Sequence, residues 1–283
     1  MSYLHKRICI HYFFEYNVFK QIRRYKKTNS TNEATGESFV NVKNDVEAIQ
    51  KRGKLIVATS ADYPPYEFTL LKDGKTEFVG FDMELAKYIA KELGVELEIR
   101  DMDFKNVIGA VTSGMADIAL AGLSPKADRT EVAFSDIYYH ATQGVLIRIA
   151  DKDLYNAKED LEDKKLGVQL GSIQEEIGAE IKGAKLSSLP LVTALIQELK
   201  TNKVDALILE KPVAAAYAKA NPELMVVEGI EMIDDAGGSA VAIGKNNLNL
   251  QKKINEILAK VKEENLLETW IVEANKLQEE QGD

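Results

Sequence analysis

From residue 54 onward, short apolar segments of strand length alternate with amphipathic segments of helical length. Such alternation is typical of a mainly parallel sheet with helices on both of its faces. Because a first series is followed by a second one of similar size, the pattern predicts an α/β protein with two open-sheet lobes. The segments are KLIVAT, DMELAKYIAKELG, VELEIR, FKNVIGAVTSG and DIALAG in the first series, and KLGVQLGS, IQEEIGAEIK, LVTALIQELKTN, DALILE and PVAAAYAKANP in the second.

Two further extended segments predict how the lobes are joined. Residues 141–150, ATQGVLIRIA, lie between the two series, and residues 237–247, GGSAVAIGKNN, follow the second one. If the last helices pack back on the first lobe, the two crossings form a two-strand hinge beside a cleft. Ligands of open α/β sheets bind beyond the carboxyl ends of the strands, so we expect a ligand cleft between the lobes. The predicted boundaries are a leader and tether at 1–39, a discontinuous lobe 1 at 40–142 and 240–283, and lobe 2 at 143–239.

One helix of the first lobe has recognisable end signals. Asp82 stands where an N-cap residue belongs, and Gly94 stands at the expected C-terminal stop. Leu85, Ile89 and Leu93 recur between them at helical spacing. We therefore interpret Asp82 as the cap of this helix.

The charge distribution argues against nucleic-acid binding. The first 27 residues have a net charge of +6, whereas residues 28–283 have a net charge of −15, and an acidic folded region repels polyanions. The single cysteine, Cys9, permits no internal disulfide and no zinc cluster, and three scattered histidines are too few for a metal site. We therefore expect no bound metal and no cofactor.

The N-terminal segment does not match a membrane span. Its basic and aromatic run is interrupted by His11, Glu15 and Asn17, so it is too short and too polar to cross a bilayer and is a poor signal peptide. An irregular leader and a membrane-surface helix both remain open. Residues 28–38, TNSTNEATGES, are polar and nearly uncharged, which predicts a flexible tether.

Two charged residues stand at the carboxyl ends of predicted strands. Arg129 follows the strand DIALAG, and Glu210 ends the strand DALILE. A guanidinium matches a carboxylate in shape and charge, and a carboxylate can hold an ammonium group, so together they predict an amino acid ligand. Two other interpretations remain open. Arg129 can pair with Asp128 or Glu131 at the surface, and Glu210 can cap the helix that starts at Pro212.

Two loops supply further candidates. Gly171 and Ser172 lie between a strand and a helix, where free N–H groups attract an anion, although they can also simply cap that helix. The segment lacks the Gly-Lys-Ser/Thr of a nucleotide-binding loop. In SADYPPYEF, two prolines stiffen the loop that carries Tyr63 and Tyr66, whose rings can wall a small pocket or simply pack the loop.

Residues 53–273 closely resemble the family 3 solute-binding proteins of polar amino acid ABC transporters. The matching motifs, in family order and spacing, are LIVATSADYPPYEF, VGFDMELAKYIAKELG, GAVTSGMADIALAGLSPKADRTEVAFSDIYY, LGVQLGSIQE and VDALILEKPVAAAYA. The resemblance implies two lobes that close around the ligand. It also implies a monomer outside the cytoplasm that captures a free polar amino acid and delivers it to permease subunits in the membrane.

The resemblance also assigns roles to individual residues. Arg129 would grip the ligand α-carboxylate, and Glu210 would bind the α-ammonium, although aspartate is more usual there. The Ser124 hydroxyl would touch the amino group or the carboxylate, and Tyr63 would stack on the ligand. The remaining expected contacts are the backbone of Ala121 and Leu123, the helix start at Ser172 and Ile173, and the side chains of Tyr66 and Gln169.

Three positions depart from the family pattern. Ile173 stands where threonine is frequent, so a carboxylate contact there must come from its backbone N–H. Ser60 stands at a position where relatives that select cationic side chains can carry an acid, which weakens the case for a basic ligand without excluding one. Cys9 lacks the small neighbours of a lipid-attachment site, so export of the chain is expected from the family alone.

Two rival functions are compatible with the same fold. A few family relatives dehydrate cyclohexadienyl acids in this cleft, and Glu210 is the one pocket carboxylate that the sequence suggests as a general acid. A sensing module of a larger receptor would need a membrane segment after the binding core, which ends here in KLQEEQGD. We therefore expect a transport protein with no catalytic residue.

Overall fold

The structure is a computed structural model that describes residues 45–232 and 237–280. The predicted leader and tether at 1–39 lie outside the described residues. The helices are α1 (Asp45–Arg52), α2 (Phe81–Leu93), α3 (Phe104–Thr112), α4 (Ile173–Glu180), α5 (Val192–Lys200), α6 (Lys211–Ala220), α7 (Leu248–Glu263) and α8 (Leu266–Glu279). The strands are β1 (Lys54–Thr59), β2 (Asp62–Tyr63), β3 (Glu67–Lys72), β4 (Lys75–Val79), β5 (Glu96–Asp101), β6 (Ile118–Ala119), β7 (Val132–Phe134), β8 (Gln143–Arg148), β9 (Lys165–Gln169), β10 (Lys185–Leu189), β11 (Ala206–Glu210), β12 (Leu224–Val226) and β13 (Ala242–Gly244).

The first five-stranded sheet has the order β5-β1-β6-β13-β7. β1 runs parallel to β5 and β6, so that Val57 lies between Ile99 and Ile118. β13 comes from the C-terminal part of the chain and is antiparallel to both β6 and β7. We call this sheet and its helices lobe 1, to which the small antiparallel sheet β2-β3-β4 is attached.

The second five-stranded sheet has the order β10-β9-β11-β8-β12 and forms lobe 2 with its helices. β9 is parallel to β10 and β11, whereas β8 is antiparallel to β11 and β12. The predicted α/β class with two open-sheet lobes is confirmed. Each sheet contains both parallel and antiparallel strand pairs. β8 and β13 follow directly after the crossings, with no helical connection that would return the chain parallel to the neighbouring strand.

The two crossings lie side by side. They pair at two isolated antiparallel bridges, Tyr139 with Ser239 and Gln143 with Met232. Most of the extended segment 141–150 is therefore β8 of lobe 2, and the crossing itself precedes that strand. Pairing between the crossings makes them act as one short ribbon between the lobes.

Apolar side chains cover both faces of the lobe 1 sheet. One cluster packs Leu85 and Ile89 of α2 and Ile254 of α7 against one face. Another packs Val107 of α3 against the opposite face. The burial of both faces explains why the strands read as apolar runs in the sequence.

One cluster of lobe 2 continues across the cleft into lobe 1. It joins Leu209 and Val213 of lobe 2 to the rings of Tyr63, Tyr66 and Phe81. These rings are almost completely buried. The lobes therefore touch through apolar surface as well as through polar groups.

The start of α2 corrects the interpretation of Asp82 as an N-cap. The N-cap position is Gly80, and the first N–H groups of the helix, those of Phe81 and Asp82, donate to the carbonyls of Pro65 and Tyr66. The Asp82 side chain is thereby free to turn into the protein, where it is fully buried. The C-terminal signal is confirmed, because Gly94 has the left-handed conformation that ends the helix.

The C-terminal helix α8 packs on helices of both lobes. It lies against α2 and α7 of lobe 1 and against α6 of lobe 2. The Gln278 Nε2 atom donates to the carbonyl of Ala216 over 2.7 Å, and Lys219 pairs with Glu279. Among the described residues, no helix is both long and apolar enough to cross a membrane.

Gly80→Ala is expected to destabilise the protein strongly. Gly80 has a φ of +117°, and an added Cβ would lie 2.1 Å from the Tyr66 carbonyl oxygen. The unfavourable backbone conformation alone costs about 1–3 kcal/mol, and the clash adds to this cost. Urea denaturation measures the loss. Gly74→Ala is the matched control, since Gly74 also has positive φ but nothing within 4 Å, and equal losses in both variants would contradict the clash.

Candidate functional site

Arg129 lies at the junction between the two lobes. Its Nη1 atom donates to the Ser124 carbonyl of lobe 1 over 2.8 Å, and its Nη2 atom donates to the Gly171 carbonyl of lobe 2 over 3.2 Å. The guanidinium also lies 6.0 Å from the centroid of the Phe104 ring. Both hydrogen bonds go to main-chain oxygens instead of to Asp128, so the surface-pair interpretation does not describe this arginine.

The segment before Arg129 forms the lobe 1 side of the cleft. It follows β6, and Ala121, Leu123 and Ser124 are almost completely buried. The Leu123 carbonyl accepts from the N–H of Ala240, over 2.8 Å, which ties the segment to the neighbouring chain before β13. Its backbone is therefore held in place by the sheet.

The predicted helix start in lobe 2 is a cap in this structure. The Ser172 hydroxyl accepts from the N–H of Glu175 over 3.3 Å and donates to the Gln169 carbonyl over 2.7 Å. Gln169 is itself buried, and its Nε2 atom donates to the Pro190 carbonyl over 3.3 Å. Ile173 is the first residue of α4. A ligand carboxylate at this place must compete with the capping bonds of Ser172.

The two tyrosines of the proline-containing loop lie together. The ring centroids of Tyr63 and Tyr66 are 5.6 Å apart, and Tyr66 also contacts Phe81 and Tyr139 at 4.4 and 5.4 Å. A Cβ placed on Gly122 would lie 3.5 Å from both tyrosine rings, so the loop after β6 runs directly against them. The aromatic wall thus adjoins the segment that leads to Arg129.

Glu210 of lobe 2 meets this aromatic wall. The Tyr66 hydroxyl donates to its Oε2 atom, and the Glu210 N–H points to the Tyr63 hydroxyl over 3.4 Å. Glu210 occupies the N-cap position of α6, but its side chain makes no capping hydrogen bond. The alternative role as a helix cap is therefore contradicted. A nearly buried carboxylate faces lobe 1 instead.

Gln174 connects the aromatic wall to a crossing. Its Nε2 atom donates to the Tyr63 hydroxyl over 3.2 Å and to Gln143 Oε1 over 2.8 Å. Gln143 takes part in the bridge between the crossings. The sequence offered no signal for this role, because Gln174 looks like any polar residue near a helix start.

Asp82 and Glu67 form a buried carboxyl pair behind the loop after β6. Asp82 accepts from the Gly122 N–H over 3.1 Å and from the Tyr138 hydroxyl over 2.8 and 2.9 Å. Neither Glu67 side-chain oxygen has a hydrogen-bond partner among the described residues. A buried carboxylate without a donor is unfavourable in its ionised form, so Glu67 is the member of the pair that retains a proton more readily.

The pKa values of the pair follow from its burial. Burial, and then the charge of Asp82, raises the pKa of Glu67 well above its ordinary value. Burial also raises the pKa of Asp82 to about 6, although hydrogen bonds from Gly122 and Tyr138 act to lower it. Because Asp82 receives the donors and Glu67 receives none, we place the proton on Glu67.

Asp62 is a third carboxyl group beside the aromatic wall. Burial raises the pKa of Asp62 to about 6, against the lowering effect of hydrogen bonds from Val192 and Thr193 of lobe 2. Sequence reasoning missed Asp62, Glu67 and Asp82 as parts of the site. Acidic residues next to loop tyrosines are ordinary in sequence, and only their burial distinguishes them.

The site has no described group that suits a metal ion. Within residues 45–232 and 237–280, no cluster of histidine, cysteine, aspartate and glutamate has the arrangement to hold one. The carboxyl groups near the cleft contact tyrosine hydroxyls and main-chain N–H groups instead. Arg129 and the Glu210 carboxylate instead suit the negative and the positive end of an organic ligand.

The family of the chain follows from comparison with known proteins. The family described as bacterial extracellular solute-binding proteins, family 3, matches residues 55–273. The arginine-binding extracellular protein ArtP of Bacillus subtilis is 40% identical over 76% of this chain and 83% of that protein. A probable histidine-binding protein of Campylobacter jejuni is 34% identical over 73% of this chain and 77% of that protein. The chain belongs to the family 3 solute-binding proteins.

Solved structures agree with this assignment. The amino acid ABC transporter substrate-binding protein AbpA of Streptococcus pneumoniae, bound to L-arginine, is 39% identical with a TM-score of 0.79, over 82% of this chain and 98% of that one. An ancestral amino acid-binding protein, a precursor of cyclohexadienyl dehydratase, is 33% identical with a TM-score of 0.73, over 81% of this chain and 98% of that one. The predicted family and its function, the solute-binding component of an amino acid ABC importer, are confirmed.

Glu67→Gln is expected to make the protein more stable at pH 8 than the wild type. Glu67 binds a proton in the folded state at a pH where an unfolded glutamate is ionised, so wild-type stability falls as pH rises above the unfolded pKa of 4.5. One such group contributes a slope of about 1.4 kcal/mol per pH unit. Glutamine keeps a donor toward Asp82 and removes this slope. Urea denaturation at several pH values measures the difference.

The stability gain of Glu67→Gln must shrink toward pH 4 if the proton on Glu67 is its cause. Glu77→Gln, on the exposed surface of the same small sheet, serves as the control for the loss of a carboxylate. A variant that is less stable than the wild type at every pH would show that Glu67 is not held neutral.

Proposed function

We propose that this protein binds arginine between its lobes. The observation that carries the proposal is an excess of largely buried carboxyl groups around the tyrosine pair. Glu67 is influenced by the charges of Asp82, Asp62 and Glu210, and each influence raises its pKa. A ligand with a cationic side chain relieves this repulsion, whereas a neutral amino acid does not.

The serine at position 60, where some relatives have an acidic residue, is compatible with this proposal. Ser60 is buried and uncharged, so we assign the attraction for the guanidinium to the Glu67–Asp82 pair. These groups lie on lobe 1, beside the rings of Tyr63 and Tyr66. Flat aromatic faces suit a planar guanidinium through stacking and cation–π attraction.

The backbone of the ligand is held by groups on both lobes. In this proposal the α-carboxylate takes up hydrogen bonds that Arg129 now gives to the carbonyls of Ser124 and Gly171. The α-ammonium replaces the Tyr66 hydroxyl as a donor to Glu210. The backbone of Ala121 and Leu123, and the side chains of Gln169 and Ser172 with the N–H of Ile173, complete the pocket.

The proposal includes a location and a mode of action. The protein acts outside the cytoplasm as a monomer and delivers its ligand to permease subunits. Residues 40–142 with 240–283 move as one body, and residues 143–239 move as the other. Closure then depends on contacts that the ligand makes with both lobes, since a ligand bound equally well by open and closed forms shifts nothing.

Arginine is expected to raise the melting temperature more than any other of the twenty common amino acids, cystine or ornithine. Arg129→Ala should raise the Kd for arginine by about 10- to 150-fold, the loss expected for one charge-assisted contact of about 1.5–3 kcal/mol. Isothermal titration calorimetry measures the Kd. Arg100→Ala is the control, because Arg100 pairs with Glu98 on β5. An unchanged Kd in the Arg129 variant would remove Arg129 from the site.

Arginine binding is expected to release protons near pH 6. The pKa of Asp82 is about 6 before binding, and a nearby cation lowers it. The Kd should therefore decrease as pH rises from about 5 to about 7. Calorimetry in two buffers of different ionisation heat counts the protons. Citrulline, a neutral analogue of arginine, should release fewer protons and bind more weakly, and equal binding of both would contradict the electrostatic argument.

We propose that the protein is not an enzyme. In a dehydratase on this fold, Glu210 would have to act as the general acid, yet here it accepts a hydrogen bond from Tyr66. Incubation with prephenate or arogenate, followed by ultraviolet detection of an aromatic product, separates the two functions. Product formed by the wild type and not by Glu210→Gln would establish the enzyme instead.

A further inference from the structure

Helix α5 of lobe 2 has no capping side chain of its own. Its N-cap residue is Leu191, which follows Pro190 and has the extended φ and ψ of −112° and 132° that an N-cap residue adopts. A leucine side chain cannot accept a hydrogen bond, and no side-chain cap is formed at this position. The first N–H groups of a helix have no partner within it, so they need one from elsewhere.

The missing cap comes from lobe 1. The Oδ2 atom of Asp62, in β2, accepts from the Val192 N–H over 2.6 Å and lies 3.5 Å from the Thr193 nitrogen. The carbonyl of Asp62 accepts from the Tyr217 hydroxyl of α6 over 2.7 Å. One residue of lobe 1 is thus bound at its side chain and at its main chain by two helices of lobe 2.

These contacts differ from an exposed ion pair that also joins the two lobes. Lys126 of lobe 1 pairs with Glu176 of lobe 2, whose side chain is 53% exposed. Solvent and salt weaken such exposed pairs. Asp62 is instead largely shielded from solvent and meets the positive end of a helix, where a carboxylate is most effective.

We propose that Asp62 is a closure residue, which caps α5 from the opposite lobe and thereby sets the affinity for the amino acid without contacting it. Opening of the cleft separates Asp62 from Val192 and leaves the start of α5 to water. The hydrogen bonds of Asp62 favour the closed arrangement whether or not a ligand is present. Their free energy therefore adds to the stabilisation of the closed form by the ligand. The inference rests on the proposed function only for its choice of ligand.

The electrostatic surroundings of Asp62 are consistent with this role. Asp101 at the end of β5, Glu67 of β3, and the phenols of Tyr63 and Tyr217 surround it. None of these groups is a cation, and burial raises the pKa of Asp62. The N–H groups at the start of α5 favour the ionised form of Asp62, so closure supplies stabilising partners to this carboxylate.

The first test measures ligand release. Asp62→Ala should raise the Kd for arginine by about 2- to 30-fold, the range that corresponds to loss of a helix cap. The change should lie mainly in a faster dissociation rate, measured by stopped-flow or surface plasmon resonance. Asp62→Asn, whose amide oxygen can still accept from Val192, should recover most of the affinity. Glu77→Ala on the same small sheet is the control for a lost surface carboxylate.

A second variant separates closure from simple helix stability. Leu191→Ser in the Asp62→Ala background places a cap within lobe 2, at a position whose backbone already suits one. It should restore the melting temperature and leave the dissociation rate fast. Recovery of the affinity by Leu191→Ser would overturn the proposal, because Asp62 would then act only on the stability of α5.

Small-angle X-ray scattering of the ligand-free proteins tests the same idea independently of the ligand. The wild type should have a smaller radius of gyration than Asp62→Ala, because the cap favours closure by itself. Equal radii of gyration would overturn the proposal. Failure of the wild type to bind arginine would overturn the proposed ligand instead, and scattering alone would then decide the role of Asp62.

Discussion

The site depends on buried charged groups that find partners on the opposite lobe. Arg129 spans from the Ser124 carbonyl to the Gly171 carbonyl, and Tyr66 reaches across to Glu210. A buried charge without a partner is costly, so each of these groups favours an arrangement in which both sides of the cleft supply its bonds. An amino acid carries a carboxylate and an ammonium at one carbon, which can take over both sets of bonds. In the proposed function, binding and closure are therefore one process.

Contacts with several elements hold the tyrosine rings of the aromatic wall in fixed positions. The carbonyls of Pro65 and Tyr66 accept from the start of α2, and Gly80 permits the close approach. Asp82 then ties α2 to Gly122 of the loop after β6. The same residues that begin a helix thus fix the tyrosine loop and the loop after β6 against each other.

The buried carboxyl groups around this wall lower the stability of the folded protein, and in the proposed function they attract the cationic side chain of the ligand. Burial of Glu67 and Asp82 raises their pKa values, which means that folding disfavours their ionised forms. A protein selected for stability alone would place apolar or neutral groups there. The proposed cationic ligand explains their presence, because a positive side chain makes the ionised carboxylates favourable. Asp62 adds a second use of a carboxylate, as the cap that α5 lacks.

The sequence by itself determined the two α/β lobes and the family, because hydrophobic periodicity and ordered short motifs are local properties. The predicted role of Asp82 as an N-cap is wrong, although a carboxylate at a helix start usually caps that helix. No role was predicted for Asp62, because no helix begins near it in the sequence. Only the tertiary structure decided that Asp82 turns inward and that Asp62 caps a helix 130 residues away in the chain. Hydrogen bonds between lobes depend on distance in space, and sequence patterns do not record that distance.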